Sequence, residues 1–207
     1  MQIVFVHELP GTGDELELTD PAGTALGTLT QPVNGAPDRT PAWSPDARSV
    51  AFGSLRSGAP AVWVSEGVSR QLRAVAEPPG GATEPSWQND SRSLIYAAPA
   101  GERVGLWLVP LAGGTPTLLT QDTIEGSVDG RSRVSPDGTR LVFTRQRRGD
   151  RDLWLLDLAT GEARALVING RGQDDHADWS PDGRRLVYET GGAVNLYRAD
   201  VRPLLLR

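Results

Sequence analysis

The feature that most constrains this chain is an internal repeat. Four segments align without gaps: PAWSPDARSVAF from Pro41, PSWQNDSRSLIY from Pro85, SRVSPDGTRLVF from Ser132 and ADWSPDGRRLVY from Ala177. Their anchor positions, Trp43, Trp87, Val134 and Trp179, recur roughly every 45 residues. An Asp follows each anchor in the next turn (Asp46, Asp90, Asp137, Asp182), and an apolar triplet follows the turn: Val50-Ala51-Phe52, Leu94-Ile95-Tyr96, Leu141-Val142-Phe143 and Leu186-Val187-Tyr188. A period of this length means one supersecondary unit stacked on copies of itself, because a single unit cannot bury its own apolar face.

Each unit carries a third strand-like segment, starting at Ala61, Gly105, Asp152 and Asn195, and a weaker fourth, over 71–75, 116–120, 163–167 and 203–206. Short strands separated by turns at this spacing predict an all-β fold, a β-propeller of about five blades. A partial unit opens the chain: Ile3-Val4-Phe5 matches the triplet, 15–20 the third strand and 24–30 the fourth. Glu17 stands there where other units carry an aromatic, so this unit is expected to be less buried. The blades are expected at about 2–30, 41–76, 85–120, 132–168 and 177–206 of a single domain spanning 1–207. The first has three strands, because its anchor would precede residue 1.

The turn chemistry explains the signature. In Ser-Pro-Asp-Gly, Pro presets φ for a type I turn, Asp bonds the backbone ahead of it, and Gly tolerates the exit conformation. Ser135–Gly138 and Ser180–Gly183 are therefore expected to close the hairpin between first and second strands, with Asp137 and Asp182 as turn formers. All six tryptophans fall at repeat positions and read as packing between blades rather than as a ligand box.

Trp-Ser-Pro-Asp-Gly, an apolar triplet and a following strand resemble the propeller repeat of the TolB family, over Ile3 to about Leu206; related repeats occur in the propellers of prolyl-oligopeptidase-type peptidases. The resemblance implies a non-catalytic scaffold that binds protein or peptide partners in a bacterial periplasmic or extracytoplasmic setting. TolB resembles a six-bladed ring behind an N-terminal domain, and this chain shows neither that domain nor a sixth blade. Three closures stay open: a piece of a larger propeller, a compact five-bladed ring, and strand exchange in an oligomer through an open blade edge.

Composition excludes several alternatives. A formal net charge of -5 and an acidic balance argue against a nucleic-acid binder. The absence of cysteine removes disulfides and thiolate chemistry. No apolar run is long enough to span a membrane, and no export signal is visible at the N-terminus. There is no Gly-x-Ser-x-Gly elbow or phosphate cradle, so no catalytic residue, cofactor or metal is assigned. His7 reads as a surface residue. Arg145, Arg147, Arg148 and Arg151 read as a solvated hairpin tip.

Loops entering the first strands are the expected ligand-facing part: VNGAPDRT, AEPPGGATE, QDTIEGSVDGR and INGRGQDDHAD. The last concentrates Asp174, Asp175, His176 and Asp178, which reads as a solvated acidic loop, a partner contact or, less readily, a cation site. Arg131 and Arg133 stand at the matching positions of the adjacent unit and are expected either to pair with His176 and Asp178 or to meet an anionic group of a partner. Glu84 occupies the equivalent place one unit earlier. Two other functions remain in view: the substrate-gating propeller of a prolyl-oligopeptidase-type serine hydrolase, and a propeller enzyme using a channel metal on sugars or lactones.

Overall fold

The computed structural model describes residues 1–66, 71–122, 124–167, 173–191 and 193–200. Unit 1 is a three-stranded antiparallel sheet of β1 (Ile3–His7), β2 (Glu15–Thr19) and β3 (Ala25–Thr28). Unit 2 is a four-stranded meander of β4 (Asp38–Trp43), β5 (Ser49–Ser54), β6 (Ala61–Glu66) and β7 (Gln71–Ala76). Unit 3 repeats it as β8 (Thr83–Trp87), β9 (Ser93–Pro99), β10 (Val104–Pro110) and the two-residue β11 (Thr117–Leu118). Unit 4 is β12 (Val128–Val134), β13 (Arg140–Arg147), β14 (Asp150–Asp157) and β15 (Ala163–Val167). Unit 5 contributes β16 (Asp175–Trp179), β17 (Arg185–Thr190) and β18 (Ala193–Asp200). Its expected fourth strand, 203–206, lies outside the described residues. A single parallel bridge, Val104 to Val128, joins units 3 and 4. No α-helix occurs among the described residues. The architecture is all-β and propeller-like.

Alternation along each second strand builds the core. Strand side chains point to opposite faces in turn, so the middle residue of each triplet faces the following unit and its neighbours face the preceding one. Ala51, Val62 and Val64 of unit 2 thus pack on Leu94, Tyr96 and Trp87 of unit 3. Ile95, Ala97 and Leu106 of unit 3 pack on Leu141 and Phe143 of unit 4. Val142, Leu153 and Leu155 of unit 4 pack on Leu186 and Tyr188 of unit 5. Each buried Phe, Leu or Val contributes about 1.5–3 kcal/mol, and the stacking makes each unit's stability depend on its neighbours.

The turns form as the signature requires. The i to i+3 bonds run from Ala47 N to Ser44 O, Gly138 N to Ser135 O and Gly183 N to Ser180 O, each at 2.8 Å. Asp137 Oδ1 accepts the Ser135 hydroxyl at 2.6 Å and the Thr139 N–H at 3.0 Å, and Asp182 is bonded in the same way to Ser180 and Arg184. The Ser135 hydroxyl, followed by the Thr139 N–H, holds the Asp137 carboxyl down to about 2. A depressed folded-state value contributes stability above the ordinary carboxylate range and loses it as pH falls toward 2. Asp137→Ala removes the acceptor of both turn bonds and, at this exposed and screened site, is expected to cost no more than about 1 kcal/mol at neutral pH. The deficit should shrink as urea unfolding is repeated from pH 5 down to pH 2; a pH-independent deficit would show that the carboxylate charge is not involved.

Buried ion pairs add a second tie within the units. Asp129 and Arg145 are both almost inaccessible, and the guanidinium donates through Nε at 2.6 Å and Nη2 at 2.7 Å to the two carboxylate oxygens. The same guanidinium lies over Phe143 at 5.1 Å and Trp154 at 4.6 Å. Unit 2 repeats the arrangement: Arg56 pairs with buried Asp38 and lies over Phe52 and Trp63. One cation thus clamps the first, second and third strands, combining an ion pair, bidentate in unit 4 and through Asp38 Oδ2 alone in unit 2, with cation–π contact. Arg147 extends the cluster in unit 4, bonded to Asp122 through two nitrogens at 2.9 Å. The expected solvated hairpin tip is therefore corrected for Arg145 and Arg147: β13 runs on through both residues, and buried carboxylates receive them.

Candidate functional site in the axial cavity

The first strands of units 2 to 5 share one irregularity. Each pairs with its second strand in a register that shifts between Arg39 and Ala42, Thr83 and Ser86, Gly130 and Arg133, or Asp175 and Asp178. Within each bulge one residue adopts a left-handed backbone: Thr40 (φ 52), Glu84 (φ 53), Arg131 (φ 51) and His176 (φ 49). Left-handed geometry is costly for non-glycine residues, most of all for a β-branched Thr. A bulge re-aims a side chain that would otherwise alternate between the sheet faces.

These four residues line one cavity of about 220 Å³, with Pro41, Pro85, Arg133, Ala177 and Asp178. Because it touches the first strand of four successive units, it lies on the axis around which the units are arranged. Glu84, Arg131, Arg133, His176 and Asp178 are all on its wall. Glu84, Arg131 and His176, expected in the entering loops, belong to strands β8, β12 and β16, because pairing continues through the bulge.

The charges along the wall are ordered. Glu84 Oε2 accepts the Arg131 main-chain N–H at 2.8 Å, and the Arg131 Nε lies 3.6 Å from Glu84 Oε1. This approach needs Gly130, since a Cβ there would sit 2.3 Å from Glu84 Oε2. Arg131 Nη1 also donates to Asp175 Oδ2. Asp175 is buried and accepts further bonds from Arg151 Nη1 at 3.0 Å, the Thr144 hydroxyl at 2.9 Å and the His176 N–H at 3.0 Å. His176 Nδ1 lies 3.3 Å from Glu189. The inter-unit ion pair expected from the sequence exists, with corrected partners: Arg131 is held by Glu84 and Asp175, while Asp178 uses Oδ1 to accept the Trp179 N–H.

Asp174 and Asp175 are both buried, which corrects the reading of a solvated acidic loop; the strand begins at Asp175 and draws the pair inward. Burial, with the charges of Asp174 and Asp150 beside it, pushes the Asp152 carboxyl up. Both Asp175 oxygens are engaged by protein donors, and among the described residues the acidic run brings no three ligand atoms together. Among the described residues the one group with metal-ligand proximity is His7, Glu15 and Glu17, where His7 Nδ1 is 2.9 Å from Glu17 Oε1 on the half-exposed face of unit 1. It is a cross-strand cluster, and none of its members lines the cavity.

What the wall leaves available is polar and mixed in sign. Arg133 is exposed, donates only to the Ser132 carbonyl at 2.9 Å and, among the described residues, has no carboxylate within ion-pair distance. Asp178 is likewise exposed. The lining contains one hydroxyl, that of Thr40, and no hydroxyl bonded to an imidazole. The arrangement can receive hydrogen-bonding and charged groups of an inserted segment. The buried pairs Asp38–Arg56 and Asp129–Arg145 were missed from the sequence, although Asp recurs at the same place ahead of the anchor in units 2, 4 and 5 (Asp38, Asp129, Asp174) and Ala82 replaces it in unit 3.

Comparison with known proteins identifies the family of this fold. The TolB beta propeller domain family matches residues 1–202. A TolB homologue of Chlorobium luteolum is 31% identical over 125 residues, covering 60% of this chain and 28% of that protein. Tricorn protease homolog 1 of Streptomyces coelicolor is 31% identical over 119 residues, covering 55% of this chain and 11% of that protein. The crystal structure of TolB from Acinetobacter baumannii superposes with a TM-score of 0.82 at 22% identity, over 97% of this chain and 50% of that one. The chain thus spans a third or less of these curated relatives and half of the solved TolB. The repeat, the stacked sheets and the family match agree, and the chain belongs to the TolB β-propeller domain family.

Proposed function

We propose that this chain is a non-catalytic propeller scaffold that binds an extended protein or peptide segment at the axial cavity. The observation that carries the reading is the set of four left-handed bulge residues from successive units, Thr40, Glu84, Arg131 and His176, all lining one cavity. Strained backbone repeated at one place, with Glu84 and Arg131 held by surrounding pairs, is the signature of a preorganised surface. Arg133 and Asp178 then offer one cationic and one anionic group for a ligand's own charges and main-chain polar groups. The proposed setting is the bacterial cell envelope, which membership of the TolB family supports; no helix among the described residues is long and apolar enough to cross a membrane.

The test is selection of displayed peptides on the wild-type chain, followed by affinity measurement on Arg133→Glu. Selected peptides are expected to lose at least tenfold in affinity, about 1.4 kcal/mol. Peptides that bind both proteins equally would place the site elsewhere and overturn the reading.

A second reading is favoured by the match to Tricorn protease homolog 1 and to the peptidase YuxL of Bacillus subtilis, 29% identical over 164 residues. Here the propeller gates access to a catalytic domain outside this chain. A fluorophosphonate probe should leave the chain unlabelled under either reading. Hydrolysis restored on adding a separate α/β-hydrolase domain would favour the gate.

A further inference from the structure

The anchor position of unit 4 departs from the repeat. Units 2, 3 and 5 carry Trp43, Trp87 and Trp179 there, and unit 4 carries Val134. All four stand in the same register, opposite Val50, Leu94, Leu186 and, for Val134, Leu141. In units 3 and 5 the indole reaches across to the preceding unit. Trp87 Nε1 donates to the Ala42 carbonyl at 2.9 Å, and Trp179 Nε1 donates to the Arg133 carbonyl at 3.0 Å. In both, the acceptor is the residue just before the preceding unit's anchor. The same relation assigns the indole of a unit 4 anchor to the Ser86 carbonyl. Val134 has no donor to offer. The Ser86 hydroxyl is bonded to Ser132 at 2.8 Å, and among the described residues no side chain donates to the Ser86 carbonyl.

Two independent observations mark the same place as a site. The first is a compartment of about 260 Å³, lined by Val134 and Arg133 of unit 4, by Ser86, Trp87 and Asn89 of unit 3, and by unit 2. An apolar cavity of roughly 150 Å³ is enough to hold benzene, so this one has room for a bicyclic ring. It adjoins the axial cavity and shares Pro41 and Arg133 with it. Asn89 Nδ2 donates to the Ser135 and Pro136 carbonyls, each at 2.9 Å, which holds the unit 4 turn against unit 3 and keeps the gap from closing. The second is Arg133 on its wall: the side chain is exposed, donates only to a main-chain carbonyl, and has no carboxylate partner among the described residues.

We propose that this compartment binds an aromatic acid: a planar bicyclic ring with an N–H donor, seated where the other units place their anchor indole, and a carboxylate on a short arm. The ring stacks into the space left by Val134. Its N–H donates to the Ser86 carbonyl, as the neighbouring indoles do to Ala42 and Arg133; a carbonyl has two lone pairs, so the strand ladder does not compete. The carboxylate pairs with the Arg133 guanidinium, whose planar fork suits it. Ser86 is buried, and a site built around a buried hydrogen bond discriminates against a ring that lacks the donor. The site shares Arg133 with the axial cavity but does not depend on a peptide segment being bound there.

The probes are indole-3-acetate and the tripeptide Gly-Gly-Trp, whose terminal carboxylate lies beside its indole, each titrated into the full chain and followed by NMR of the protein amides. Saturable shifts around Ser86 and Val134 are expected, with a Kd on the order of 1 mM or tighter. Tighter binding of the free acid makes the ligand a small molecule, and tighter binding of the tripeptide makes it a chain terminus; both support the site. Benzothiophene-3-acetate keeps the ring shape without the N–H and should bind about tenfold more weakly. Arg133→Gln should weaken indole-3-acetate about tenfold and leave uncharged 3-methylindole unaffected. Val134→Trp restores the repeat and fills the compartment, so it should abolish binding of both probes while cavity-selected peptides keep their affinity. Should that variant fail to fold, Val134→Leu is a smaller insertion and should still weaken the probes several-fold. Absence of saturable binding, equal binding of the benzothiophene acid, or undiminished binding to the Val134 variants would overturn the proposal.

Discussion

Replacing Asp129 by Ala is expected to cost about 3–5 kcal/mol of folding stability, among the largest effects of any single substitution in this chain. The reason is the partner it abandons. Arg145 is 2% exposed, and without Asp129 its charge would stay buried with Asp122 3.6 Å away as its remaining carboxylate. Asp122 already serves Arg147 through two bonds. Urea unfolding of the single variant checks the cost. The double replacement Asp129→Leu with Arg145→Met should recover most of it, because removing both charges leaves neither unpaired while the aliphatic chain still covers Trp154. A single-variant cost below 1 kcal/mol would mean that water reaches the guanidinium.

Asp175→Ala is expected to cost about 3 kcal/mol and to disorganise the cavity wall. Asp175 is the one carboxylate bonded to Arg131, Arg151, Thr144 and the His176 main chain together. Its loss leaves the buried Thr144 hydroxyl without that acceptor and Arg131 dependent on Glu84. Asp175→Asn keeps two acceptor sites and should cost less. The measurements are chemical denaturation and the affinity of cavity-selected peptides. Lost stability with unchanged affinity would make Asp175 a structural tie only and remove the link to the ligand surface.

The two substitutions probe features of different legibility. The repeat makes the hairpin turns, the triplets and the inter-unit packing readable, since each follows from local chemistry repeated at a fixed interval. Arg131, Arg133, His176 and Glu84 are also identifiable as a group, because equivalent positions of stacked units must lie near one another. Which of them pair is not readable. Asp175 and Asp178 both flank His176, and only the bulge decides which carboxylate turns toward Arg131. Arg145 shows the same limit: in an Arg-rich stretch beside a turn it looks solvated, and the continuation of β13 through Arg147 puts it under cover.

By itself, the sequence determines the fold class and the internal period, through turn residues with preset dihedrals and alternating apolar positions that can be buried only by stacking. It also determines that the tryptophans belong to the repeat. The tertiary structure decides the rest: which residues enter the left-handed bulge and how the charges of neighbouring units are shared. Those outcomes depend on distances between groups far apart in sequence and on burial that turns a nominal charge into an obligate pair. A one-dimensional pattern encodes which residues recur, but electrostatics and hydrogen bonding act through space, and only the folded arrangement supplies those separations.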